Sequence, residues 1–128
     1  MQQSPLQAYQ HVEKVTGSGR AIEAAVLTKA AMKLKECQKN WDAHDRDQRL
    51  EEALKFNQKV WSIFQSELTN EKHPMPSQLR LGLLRLGGFI DRRIFETMAD
   101  PSPEKLDMVI KINCNLAAGL RGSTTPVV

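Results

Sequence analysis

The chain has 128 residues, 41% hydrophobic and 26% charged. That is enough to bury one core without metal or disulfide staples, and the balance excludes both a disordered chain and a membrane-spanning one. The formal net charge of +3 is small and comes with no concentrated basic run, so direct contact with nucleic acid is not expected.

Apolar residues recur every three or four positions along each long segment, with Pro and most Gly between segments, which predicts an all-α fold: a compact bundle of four to five helices. Residues 1–122 read as a single helical domain and 123–128 as a tail without periodicity. In chain order, Ser4 and Pro5 resemble an N-cap with Pro at the first helical position. The short helix they open sets Tyr9, Val12 and Val15 on one side, and Gly17-Ser18-Gly19 ends it. A second helix, from about Arg20 to Asp42, carries Ile22, Val26, Ala30, Leu34, Cys37 and Trp41 on one face, with Lys29, Lys33, Lys35 and Lys39 among its solvated positions. After a polar loop, His44 to Gln48, the third helix holds the clearest stripe: Leu50, Ala53, Leu54, Asn57, Val60, Trp61, Phe64 and Leu68.

Pro74 and Pro76 make Asn70 to Pro76 a turn, and Ser77 or a neighbour starts a fourth helix that runs to about Met98. This helix has two apolar faces. Leu79, Leu83, Leu86, Ile90 and Ile94 form one, while at about 100° per residue Leu81, Leu84 and Phe95 fall on another. Either the helix is packed on both sides, or the second face lines a groove for an amphipathic partner helix. Gly87 and Gly88 at mid-helix suit close helix approach in both cases. The fifth helix begins at DPSPEK, with Ser102 as cap and Pro103 in the first turn. It carries Leu106, Val109, Ile110, Asn113, Leu116 and Leu120 and closes at Gly119 or Gly122.

No pattern carries catalysis. His11, His44 and His73 lie in different segments without ligand spacing, which predicts no metal site, and no cofactor motif appears. Glu51 and Glu52 are adjacent and so do not face each other as acid and base. An enzyme is not expected. Cys37 and Cys114 have no CxxC spacing and read as small buried hydrophobes with free thiols. The opening MQQSPLQAYQ has no apolar core of a secretion signal, so a cytoplasmic location is expected. The most apolar stretch, Leu79 to Ile90, is broken by Arg80 and Arg85 and is far short of the roughly 20 residues a membrane span needs.

The informative residues are polar groups within a predicted core and surplus apolar surface. Asn57 sits inside the third helix's stripe, where an unpaired amide costs about 1–3 kcal/mol; it either ties helices together or binds a partner backbone. Asn113 and Asn115 face opposite sides of the last helix, Asn113 toward the core and Asn115 toward the surface. Trp41 and Trp61 suit a core or an interface equally.

Three blocks, EAAVLTKAAMKLKECQKNWD (Glu23 to Asp42), LEEALKFNQKVWSIF (Leu50 to Phe64) and DPSPEKLDMVIKINCNLAAGLRG (Asp100 to Gly122), together resemble the FlaF family of bacterial flagellar biosynthesis regulators. The most specific pieces are Asn57, Trp61 and Phe64 together, and a closing pattern made by Ile112, Asn113, Asn115, Ala117, Gly119, Leu120, Arg121 and Gly122. The resemblance implies a cytoplasmic protein required for flagellin production and export, with flagellin and the translational regulator FlbT as partners. The expected function is therefore a flagellin-binding export chaperone and regulator of flagellin synthesis. The alternatives are an RNA-binding regulator using Lys29, Lys33, Arg80, Arg85, Arg92 and Arg93, and an adaptor that touches only FlbT. The candidate partner-binding residues are Trp41, Asn57, Trp61, Phe64, Leu81, Leu84, Phe95, Asn115 and Arg121. Pairing with a second copy through the spare apolar surface is left open.

Overall fold

The computed structural model describes residues 19–122; the predicted first helix and the 123–128 tail lie outside them. Four α-helices and one 3₁₀ turn are found among the described residues: α1 (Gly19–Lys39), α2 (Arg46–Leu68), α3 (Ser77–Ala99), the turn Pro103–Leu106, and α4 (Asp107–Leu120). These are the predicted second to fifth helices, and the fold is all-α as the periodicity requires.

Four hydrogen bonds fix the directions. Gln38 near the end of α1 donates to the Pro103 carbonyl and to Asp107, while Arg121 just past α4 reaches Thr28 Oγ1 at 3.1 Å, so α1 and α4 run antiparallel. Arg80 in the first turn of α3 donates to the Leu68 carbonyl at 2.8 Å, placing the start of α3 against the end of α2. That bond also satisfies one of the carbonyls a helix end leaves unpaired. The closest backbone packing joins α1 to α4, α2 to α3 and α1 to α2; the 3₁₀ turn bridges α3 to the rest.

One apolar core runs through these helices. From α1 it takes Ala24, Leu27, Ala31 and Leu34, from α2 Leu50, Leu54 and Trp61, from α3 Ile90 and Ile94, and from the turn and α4 Leu106, Val109, Ile110 and Ala117. The buried face of α1 is thus rotated from the predicted one. Ile22 is 56% exposed, Val26 is half-buried, and α1 ends at Lys39, which leaves Trp41 in the turn that follows. Ala30, Leu34 and Cys37 of the predicted stripe are buried as read, and two small alanines outside it, Ala24 and Ala31, explain the shift: they let neighbouring backbones close on that face, whereas bulky residues would hold them off.

On α3 the expected core stripe is buried only at its C-terminal end. Leu79 is 54% exposed and Leu86 37% exposed. Helix length supplies the reason: α3 has 23 residues and α4 only 14. At 1.5 Å per residue the two differ by about 13 Å, and α4 does not reach the start of α3. Only one of the two mid-helix glycines is a close approach. A Cβ on Gly87 would lie 2.5 Å from Gln65 Nε2, whereas nothing lies within 4 Å of one on Gly88.

The 3₁₀ turn at Pro103–Leu106 precedes α4, and Ser102 makes no side-chain cap bond, contrary to the expected cap. Its extended backbone (φ −150°, ψ 148°) and Pro103 at the first turn position set the entry instead. Gly119 is inside α4. Gly122, at φ +81°, ends the helix, because only glycine takes that left-handed conformation without a Cβ clash.

Candidate functional site

At the centre of the bundle is a chain of side-chain amides. Trp61 Nε1 donates to Asn113 Oδ1 at 2.9 Å, and Asn113 Nδ2 donates to Asn57 Oδ1 at 2.6 Å. Asn57 Nδ2 then donates to the Ala30 carbonyl of α1 at 3.1 Å and to the Ala53 carbonyl of its own helix at 2.9 Å. Trp61, Asn113 and Asn57 are at most 1% exposed. Three helices are therefore tied by three buried polar side chains, each paired within the fold, the condition under which buried amides stabilise and specify a packing. The tie is the role the hydrogen bonds realise for Asn57. Asn57 and Trp61, expected as partner-binding residues, are closed off from any partner, because their spacing put them on the most buried stripe of the protein.

Phe64 is half-buried with its ring edge-on to Trp61, centroids 6.1 Å apart. Trp41 is half-buried beneath the Arg46 guanidinium, 4.5 Å from the ring centroid. Asn115 is exposed, as expected, and Arg121 is exposed and engaged with Thr28. The remaining three candidates belong to α3: Leu81 is 47% exposed, Leu84 half-buried and Phe95 72% exposed. At about 100° per residue these three share one side of the helix, opposite Ile90 and Ile94. Leu81 and Phe95 on the second apolar face of α3 are thus turned outward, and the helix is not packed on both sides along its length.

The basic residues are partly committed. Lys29 and Lys33 lie over the Phe56 ring at 5.5 and 5.1 Å, Arg80 holds the Leu68 carbonyl, and Arg93 lies over Phe89 at 5.5 Å. Arg85 and Arg92 are exposed.

Both cysteines are buried with free thiols, as read from the sequence. Burial pushes the Cys37 thiol above its usual range, with Arg49 opposing the shift. A shallow depression beside it is lined by Lys33, Glu36, Arg49 and Glu52. Among the described residues no group of three or more His, Cys, Asp or Glu side chains converges as a metal site. No described helix is long and apolar enough to cross a membrane.

What sequence reasoning missed is the openness of Leu79 and Leu86. No signal of it was present in the sequence, since the fifth helix was expected to start at Ser102 and only the structure shows that its α-helical part is the 14 residues Asp107–Leu120.

No curated protein and no solved structure matches the chain. The family model described as flagellar protein FlaF matches residues 5–120. That span includes the amide tie and the whole of α3, so the chain belongs to the FlaF family of flagellar proteins, with a role in building the flagellum.

Proposed function

We propose that this protein is a cytoplasmic chaperone for flagellin, which keeps the monomer soluble before export and couples export to flagellin synthesis, acting together with an FlbT-like regulator. One observation carries the reading: within a flagellar protein family, α3 turns Leu81 and Phe95 outward at 47% and 72% exposure. A helix with one face in the core and a second apolar face in solvent is built to receive another amphipathic helix. Flagellin termini are such helices, and they need cover until they assemble. Catalysis plays no part in the proposal.

Size-exclusion chromatography of the protein mixed with monomeric flagellin tests it. A stoichiometric complex is expected, lost on Phe95→Glu or Leu81→Glu while the circular dichroism of the free protein is unchanged. No complex at micromolar concentrations, or complexes that survive both substitutions, would overturn the reading. Co-purification with an FlbT-like protein in the absence of flagellin would transfer the role to an adaptor.

A further inference from the structure

Two arginines and a glycine on the outer side of α3 have no role inside the bundle. Taking buried Ile90 as reference, Leu81, Arg85, Gly88, Arg92 and Phe95 all lie within about 40° of the opposite direction at about 100° per residue, and all five are exposed. The other two arginines of α3 are engaged: Arg80 holds the Leu68 carbonyl, and Arg93 lies over Phe89 with Glu96 at 4.0 Å. Arg85 and Arg92 form no ion pair with another described residue.

Gly87 is a glycine because Gln65 occupies the space a Cβ would need, but nothing lies within 4 Å of a Cβ on Gly88, and Gly88 is not in the left-handed conformation. A mid-helix glycine costs stability against alanine, and no neighbour within the bundle explains it. Its effect is on the outside, where it leaves bare backbone between Leu81 and Phe95, a gap that admits a large side chain from another helix. The flanks of the gap select charge. Arg85 and Arg92 border the apolar stripe on one side, about 10.5 Å apart along the axis, and no carboxylate is on the stripe between Leu81 and Phe95. Two copies packed antiparallel about Gly88 would set Arg85 of one against Arg92 of the other, so like charges oppose that self-pairing. We propose that the stripe takes an amphipathic helix of monomeric flagellin, one that places a bulky apolar side chain in the Gly88 gap and two carboxylates, seven residues apart, beside Arg85 and Arg92. This rests on the outer side of α3 being the flagellin-binding face and adds what the bound segment must carry.

Titration of the full chain into labelled monomeric flagellin, read by fluorescence anisotropy, tests it. Arg85→Glu with Arg92→Glu should raise Kd about tenfold or more, whereas Lys59→Glu with Lys111→Glu, the same charge change at exposed positions of α2 and α4, should leave it within about twofold. Gly88→Gln should also raise Kd about tenfold while its thermal midpoint stays at or above that of the parent, which separates a filled gap from a damaged fold. Equal losses in the two charge pairs, an arginine pair that binds like the parent, or a Gly88→Gln protein that binds like the parent would each overturn this inference and leave the chaperone reading standing. No complex with the parent protein would overturn both. A parent that is dimeric until Phe95→Glu separates it would assign the stripe to a second copy and likewise overturn the inference.

Discussion

The two halves of α3 carry the same spacing of leucine and isoleucine in different surroundings. Ile90 and Ile94 are at most 1% exposed, packed with Leu106 and Trp61 in one cluster, while Leu79 and Leu86, one to three turns earlier on the same side, stay open to solvent. Periodicity thus specifies which side of a helix faces inward, and the lengths and directions of its neighbours decide whether anything is there to meet it. The interior half packs on a core that buried amide pairing among α1, α2 and α4 secures, and the sharpest way to break the contrast is to remove that pairing.

Asn113→Ala leaves the Trp61 indole N–H and Asn57 Oδ1 unpaired in the interior. A loss of about 3 kcal/mol in urea unfolding is expected, each orphaned group costing about 1–3 kcal/mol. Asn115→Ala, two residues on and exposed, should stay within about 0.5 kcal/mol of the parent. Equal losses would mean that the amide chain contributes nothing special.

A smaller effect separates two neighbouring glycines of α3. Gly88→Ala meets open space and should stabilise the protein by about 1 kcal/mol through helix propensity alone. Gly87→Ala gains the same propensity but must push aside Gln65, whose amide donates to Asp91 at 3.2 Å. Its thermal midpoint should therefore fall at or below that of the parent, and a rise equal to that of Gly88→Ala would show that Gln65 yields freely.

The smallest effect is a pH dependence. Because burial raises the Cys37 thiol, the folded state holds its proton where the unfolded chain has begun to lose it. Stability from this group is level below about pH 8.5 and declines as pH climbs from there toward the raised folded value. The urea midpoint of the parent should fall faster between pH 8 and 10 than that of Cys37→Ala, and parallel curves would remove the assignment.

Much of this was legible in the sequence. The stripe of α2 appears as read but for Phe64, which is half-buried; Leu50, Ala53, Leu54, Asn57, Val60, Trp61 and Leu68 are all buried, because apolar or amide positions at helical spacing leave one orientation. The division between Asn113 and Asn115 follows from the same geometry. The pairing of Asn57 with Asn113 was not legible, since the residues are 56 positions apart and only the tertiary fold brings them together. The face of α1 was read in part: Ala30, Leu34 and Cys37 are buried, but Ala24 and Ala31 were passed over because alanine gives a weak apolar signal, although it permits the closest packing. The site on α3 was half legible: Leu81 and Phe95 were singled out by their angle, but exposure depends on what neighbouring helices cover.

The amide tie also bears on how the protein comes to be folded. Synthesis delivers α1 and α2 long before Asn113, which is on the last helix, and until then Trp61 and Asn57 have no partner from α4. α1 and α2 are thus incomplete until α4 is added, and it is α4 that locks them. Variants that stop short of Asn113 should accumulate as aggregation-prone chains, because the apolar faces meant for α4 remain uncovered.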